Sequence, residues 1–119
     1  MLVDAPCTGL GTLRRHPELK LRRGADAPAR LAALQRALLL SCARYARDGA
    51  AITYSVCSLT RAEGPEVAAW AVAQGLVRTG PPEGFPSELL TADGDLLTLP
   101  SRHGCDGFYA ARFLPAAAG

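Results

Sequence analysis

The sequence has 119 residues, of which 49% are apolar and 20% charged, with a net charge of +2. That balance excludes a disordered or low-complexity chain and allows one domain with a modest core. No apolar run approaches the roughly 20 residues that a membrane-spanning helix needs, and no signal-peptide pattern opens the chain, so a cytoplasmic protein with no membrane partner is expected.

Met1-Leu2-Val3 reads as the last part of a buried strand. Residues 9–25 form a glycine-punctuated basic loop, in which Pro17 disfavours helix at His16. Asp26 offers an N-cap and Pro28 fits the first turn of a helix predicted over 27–48. Leu31, Leu34, Leu38, Cys42 and Tyr45 follow at helical spacing, with Gly49 as the stop and Cys42 a structural member of the apolar face. Residues 50–56 form the next strand. Two helix starts then compete: Thr60-Arg61-Ala62-Glu63 fits a capping box, and Gly64-Pro65 places proline at the first helical position. Val67, Trp70, Ala71 and Gln74 carry that helix toward Gly75, and Leu76-Val77 makes a brief extended segment. Residues 79–95 are a loop rich in proline, glycine and acid. Residues 95–99 and 108–114 are strands whose connection, 101–107, is short enough for an antiparallel hairpin. Residues 116–119 are a tail.

This order predicts an α/β fold, with parallel strands in its first half and a terminal hairpin that adds an antiparallel edge strand. Cys7 and Cys57 each follow a strand and precede small or turn-forming residues. Two thiols so placed predict a shared pocket beyond the carboxyl ends of the strands, where open α/β folds carry their chemistry.

Charge is unevenly distributed. Residues 12–23 hold Arg14, Arg15, Lys20, Arg22 and Arg23 against Glu18 alone, whereas residues 63–95 hold six acids against Arg78. A basic patch of this kind either engages phosphates or is a solvated loop. The cysteines at 7, 42, 57 and 105 include no CxxC pair, and the histidines are His16 and His103, so zinc spacing is absent and no metal is expected. An even number of cysteines admits disulfides, but a cytosolic chain favours free thiols.

The run Asp4-Ala5-Pro6-Cys7-Thr8-Gly9-Leu10-Gly11, followed by Arg14-Arg15, Pro17 and Glu18, closely resembles a signature of the RNA cytosine-5 methyltransferases of the Sun/Nop family. Tyr54-Ser55-Val56-Cys57-Ser58-Leu59 with Glu63 is similar to the second signature of that family. The closing run Arg102-His103-Gly104-Cys105-Asp106-Gly107-Phe108-Tyr109-Ala110-Ala111-Arg112 resembles its ending. The three matches fall in family order and span nearly the whole chain. The resemblance implies a partial Rossmann-like S-adenosylmethionine-dependent methyltransferase fold, with residues 1–115 the C-terminal part of its catalytic domain. RNA, in particular ribosomal RNA, is the implied partner.

The residue types suit that reaction. Carbon 5 of cytosine is a poor nucleophile until something adds to carbon 6, and a thiolate does so by covalent catalysis. The resemblance assigns the attack to Cys57 and gives Cys7 a part in resolving the adduct. A Pro-Cys motif read alone would name Cys7 as the nucleophile, as in cytosine-5 DNA methyltransferases. For both thiols the alternative is a buried small hydrophobe. By resemblance Asp4 contacts S-adenosylmethionine or the base, where it can serve as an acid toward ring nitrogen 3. Its alternative is a loop-capping carboxylate. Pro6, Gly9 and Gly11 belong to the substrate-binding loop, the glycines permitting positive φ and close backbone approach. Arg14 and Arg15 either hold RNA phosphates or pair with Glu18 or the sheet edge. His16 is expected in solvent, His103 and Asp106 as supports of the hairpin turn, and Cys105 as incidental.

A fold that binds S-adenosylmethionine uses a Gly-rich loop after its first strand and an acid ending its second, and neither is in this sequence. The chain is therefore expected to lack the N-terminal half of the domain that cofactor binding needs, to be inactive alone, and to expose an apolar first strand. The alternative function is a non-catalytic RNA-binding or scaffold fragment that uses the basic loop 12–23. A thiol redox protein would need Cys7 and Cys57 close enough to bridge.

Overall fold

The computed structural model describes residues 1–22 and 24–115. The expected tail 116–119 and Arg23 of the basic loop lie outside the described residues. The chain runs β1 (Leu2–Asp4), α1 (Leu19–Arg22), α2 (Ala27–Tyr45), β2 (Ile52–Val56), α3 (Pro65–Ala73), β3 (Val77–Arg78), β4 (Leu96–Thr98), α4 (Pro100–His103) and β5 (Phe108–Leu114), with 3₁₀ turns at Leu10–Thr12 and Ser87–Leu89.

The sheet is mixed. β1 pairs parallel with β2, with Asp4 opposite Ser55, across the α2 crossover. β5 pairs antiparallel with β2, with Tyr54 opposite Ala111. Its other edge takes β4 at residues 108–110 and β3 at 113–114. The α/β reading and the antiparallel hairpin are both present, but β5 is an interior strand and β4 takes the edge. Tyr109, Ala111 and Phe113 put one face of β5 into the core, while β2 on one edge and β4 and β3 on the other make it interior. Leu2 is 68% exposed, as expected for an apolar first strand, while Val3 is buried.

Both long helices pack on one face of the sheet. Val3, Ile52, Tyr54, Val56, Tyr109, Ala111 and Phe113 meet Ala32 and Leu39 of α2 and Val67, Ala68 and Ala71 of α3. The buried stripe of α2 is rotated from the expected one. It runs Ala32, Gln35, Leu39, with Cys42 half-buried beside it, and leaves Leu34 45% and Tyr45 82% exposed. Gln35 turns the helix this way, because its amide is used in the interior. Asp26 stands at the N-cap position but has near-helical φ and ψ, so its side chain makes no cap bond and instead pairs with Arg30 at 3.4 Å. At α3 the Gly64-Pro65 start prevails. The capping box one turn earlier is half formed: the Glu63 N–H donates to Thr60 Oγ1 at 3.3 Å, but the Glu63 carboxylate takes the Thr60 hydroxyl rather than its N–H. On the rim, buried Asp95 accepts a hydrogen bond from Tyr109 Oη and forms an ion pair with Arg78 Nη2 at 3.2 Å, holding the 79–95 loop against β5.

Phe113 is completely buried near the carboxyl end of β5. Phe113→Ala is expected to destabilise the chain by about 3–5 kcal/mol, read as a lower urea midpoint with little change in slope; a loss under about 1 kcal/mol would contradict this core.

Candidate active site

β1 and β2 are parallel neighbours, so the loops that leave their carboxyl ends run side by side. The Ala5 N–H extends the ladder to Ser55 O at 3.1 Å. Beyond that point both strands turn, and Cys7 and Cys57 meet with their sulfurs 3.2 Å apart. Both are free, half-buried thiols. Burial first, and then the hydrogen bond with Cys57, push the Cys7 thiol up to about 12. Cys7 therefore keeps its proton at neutral pH and can donate it toward the Cys57 sulfur.

Backbone hydrogen bonds stitch the three sequence signatures together at this point. The Gly11 N–H donates to Cys57 O at 2.9 Å, and the Gly107 N–H donates to Gly11 O at 2.7 Å. A Cβ at position 11 would lie 2.0 Å from Gly107 O and 2.9 Å from Cys57 O, so only glycine permits this crossing. Gly9 has φ +73, a left-handed conformation that starts the 3₁₀ turn and presents its carbonyl to the Thr12 hydroxyl at 2.6 Å.

Behind the thiols lies a polar cluster in which Thr8, Gln35, Ser58 and Glu63 are buried. Glu63 is fully buried, and its carboxylate accepts from Thr8 N at 2.7 Å, Thr8 Oγ1 at 2.8 Å, Thr60 Oγ1 at 2.6 Å, Gln35 Nε2 at 3.3 Å and Ser58 Oγ. Burial alone would raise this carboxyl, but the hydrogen bonds from Ser58, Thr60 and Thr8 outweigh it and hold it below the ordinary glutamate range. Gln35 also donates to Pro6 O at 2.9 Å, and Tyr54 Oη donates to Glu63 O at 2.5 Å.

The other expected site residues are spread around this centre. Asp4 is exposed at the carboxyl end of β1, and Pro6 is exposed with its carbonyl held by Gln35. Arg14 and Arg15 both reach Asp106, through Nε at 2.9 Å and 2.7 Å, and keep 46% and 59% of their side chains exposed. Their anion is thus Asp106 of the closing signature rather than Glu18, and the hydrogen bonds from Arg15 and Arg14 hold its carboxyl below the usual range. The turn supports are as expected: His103 Nδ1 accepts from Leu99 N at 2.9 Å, and Asp106 O accepts from the Thr98 hydroxyl at 2.8 Å. His16 is half exposed, 3.5 Å from Glu18. Thr8, Gln35 and Ser58 were not anticipated. The available signal for Gln35 was a polar residue inside an apolar helical stripe. Among the described residues no His, Cys, Asp and Glu group suits a metal ion, and no helix is long and apolar enough to cross a membrane.

The mixed sheet with thiol-bearing loops at its carboxyl edge is a Rossmann-like methyltransferase fold, and solved structures share it. A crystal structure of PH0851 matches 95% of this chain and 26% of its own with TM-score 0.84 at 30% identity. A crystal structure of NSun6 from Pyrococcus horikoshii with SFG matches 96% and 29% with TM-score 0.81 at 25% identity. The family model for the 16S rRNA methyltransferase RsmB/F matches residues 1–114, and the chain belongs to that family. It is 43% identical to ribosomal RNA small subunit methyltransferase B of Thermus thermophilus over 112 residues, covering 94% of this chain and 28% of the relative. It is 35% identical to ribosomal RNA small subunit methyltransferase F of Citrobacter koseri, covering 99% of this chain and 26% of the relative. The chain thus spans about a quarter of the length of these curated relatives.

Gly11→Ala is expected to force the loops apart and to destabilise the chain by about 1–3 kcal/mol, measured by urea denaturation; an unchanged midpoint would disprove the crossing. A second expectation concerns acid. A carboxyl depressed in the folded state stabilises the fold above its unfolded pKa and loses that contribution as pH falls through the native value. Asp106 should therefore support stability above about pH 4 and lose it below. Asp106→Asn should be less stable at pH 7 and show a flatter decline toward pH 3, whereas parallel wild-type and variant curves would show that Asp106 contributes nothing.

Proposed function

We propose that this chain supplies the thiol-bearing edge of an S-adenosylmethionine-dependent enzyme that methylates carbon 5 of cytosine in ribosomal RNA, with Cys57 as nucleophile and Cys7 assisting release. The observation that carries this reading is the 3.2 Å contact between the two sulfurs. A nucleophile needs a neighbour able to manage its charge when it attacks and when it leaves, and Cys7, protonated at neutral pH, is such a neighbour. The names of the relatives support the methyl-transfer class and the ribosomal RNA substrate. The NSun6 neighbour was solved with SFG, an S-adenosylmethionine analogue, which supports the cofactor.

The thiolate of Cys57 forms a bond to carbon 6, and the ring electrons move to carbon 5. S-adenosylmethionine, when bound, would supply the methyl electrophile that carbon 5 takes, the electron pair of the broken methyl–sulfur bond staying on its sulfonium sulfur. A solvent base removes the remaining proton from carbon 5, the 5,6 double bond re-forms, and the sulfur–carbon bond breaks with its electron pair returning to Cys57. The Cys7 S–H, in contact with that sulfur, stabilises the departing thiolate by hydrogen bonding. Asp4, exposed at the end of β1, presents its carboxyl group to the cofactor or, as an acid donating its proton, to ring nitrogen 3. The residues present fit the cofactor at this one edge, where Asp4 ends β1, and the Gly-rich loop that such folds use beside the cofactor is not in this sequence. Pro6, Gly9 and Gly11 shape the loop that faces the base. Arg14 and Arg15 keep exposed guanidinium surface for RNA phosphates while bound to Asp106. That tether offsets part of the positive charge of the 12–23 loop, which weakens the alternative of an RNA-binding scaffold driven by charge alone.

The test is a chimera in which residues 1–114 replace the aligned segment of the Thermus thermophilus relative, challenged with RNA containing 5-azacytosine. The expected result is a covalent adduct that Cys57→Ala abolishes, while Cys7→Ala still forms it and accumulates it on ordinary RNA. If Cys7→Ala abolishes the adduct and Cys57→Ala keeps it, the two roles are reversed. If RNA binds but neither thiol is trapped, and affinity falls steeply with salt, the scaffold reading replaces this one.

A further inference from the structure

We propose that Glu63 is the positioning residue of the thiol pair: its buried carboxylate clamps the residue after Cys7 to the residue after Cys57 and so sets the distance between the two sulfurs. This rests on the reading of Cys7 and Cys57 as the working pair, but the clamp is visible in the geometry alone. One carboxylate oxygen, Oε1, takes the Thr8 N–H and the Gln35 amide; the other, Oε2, takes the hydroxyls of Thr8, Ser58 and Thr60. Thr8 is the residue next to Cys7, and Ser58 is the residue next to Cys57. The Pro6 carbonyl, on the other side of Cys7, is tied to the same carboxylate through Gln35. The Cys7 backbone is therefore held from both sides and the Cys57 backbone from one.

A packing role alone does not account for a glutamate here. An anion removed from water is costly unless its lone pairs are met, and among the described residues no cation pairs with Glu63. Its charge is met entirely by neutral donors, every one of them on the loops beside the thiols, on α2 or on its own turn. Three of those donors are hydroxyls and one is a backbone N–H, which no apolar side chain could satisfy. Tyr54 Oη holds the Glu63 carbonyl at 2.5 Å and fixes the glutamate from its own backbone. A clamp built this way has one free parameter, the separation of the loops it joins, and the sulfurs lie 3.2 Å apart at that separation.

The experiment reads thiol geometry without methyl transfer. The 119-residue chain, with Cys42→Ala and Cys105→Ser to leave one pair, is titrated with phenylarsine oxide, which forms two arsenic–sulfur bonds with a close dithiol and releases one water. Bridged protein is counted by intact mass in competition with dimercaptopropanol. Wild-type geometry should bridge at stoichiometric reagent, and Cys57→Ala should abolish bridging. Glu63→Gln keeps volume, and the hydroxyls can rotate to accept from its amide, so it should fold; its bridging affinity is expected to fall by about tenfold or more, the scale of one lost charge-assisted hydrogen bond. Gln35→Met should give a smaller loss in the same direction, and Glu63→Asp should recover part of it. A core variant of matched stability loss, Ile52→Val, should bridge like wild type, which separates positioning from general loosening.

In the chimera, Glu63→Gln should lower kcat about tenfold or more while KM for RNA stays within about twofold. Unchanged bridging in folded Glu63→Gln and Gln35→Met overturns the proposal, whatever the chimera does. So does unfolding of both, because Glu63 would then hold the domain rather than the pair. Failure of the wild-type chimera to trap RNA at Cys57 would remove the methyltransferase reading and leave the bridging result to judge Glu63 by itself.

Discussion

The arrangement of the site depends on one buried carboxylate. Parallel strands bring their carboxyl ends to the same edge, but they do not bring the loops beyond them together. Past Ala5 the ladder between β1 and β2 is finished, and each chain is free to turn its own way. Glu63 is where they are rejoined, through hydroxyls and an N–H that belong to both loops. The attraction is short-range and directional, and it acts where water cannot compete, so it specifies a geometry as well as a contact.

A second constraint comes from the opposite side of the thiol loops. Gly11 passes between Cys57 O and Gly107 with no room for a side chain. The first signature is thereby held by the second through Glu63 in the interior and through Gly11 at the rim. The third signature joins at Gly107 and, one residue before it, at Asp106, which receives Arg14 and Arg15. Segments far apart in sequence are cross-linked by backbone carbonyls, a carboxylate and an ion-pair fork, all within the turns that follow strands. This is how a short sheet with a modest core can hold loops in fixed relation.

Much of this was legible in the residues themselves. Helix and strand order followed from periodicity and from punctuation by Gly49, Gly75 and Pro65, because those signals are local. Cys7 and Cys57 could be placed together because both follow strands of one crossover. The rotated stripe of α2 was not legible, since Leu34 and Leu38 fit a helical period as well as Gln35 and Leu39 do, and only the tertiary use of the Gln35 amide decides between them. β5 lies inside the sheet because β2 pairs one of its edges and β4 and β3 the other, long-range pairings that the local pattern of the strand does not carry. Glu63 was legible as a capping residue, and its larger role was hidden because its partners Thr8 and Gln35 are distant in sequence.

The two thiols began as equivalent residues at two strand ends, and the structure makes them different. Cys7 is enclosed by its flanking tethers at Pro6 and Thr8, and burial raises its proton affinity. Cys57 has the Glu63 clamp on one side only, at Ser58, and gives its carbonyl to Gly11. The two sulfurs lie 3.2 Å apart, so each is part of the other's surroundings. Two chemically identical side chains thus sit in unlike surroundings because their loops are tied down differently, and Glu63 takes part in both ties.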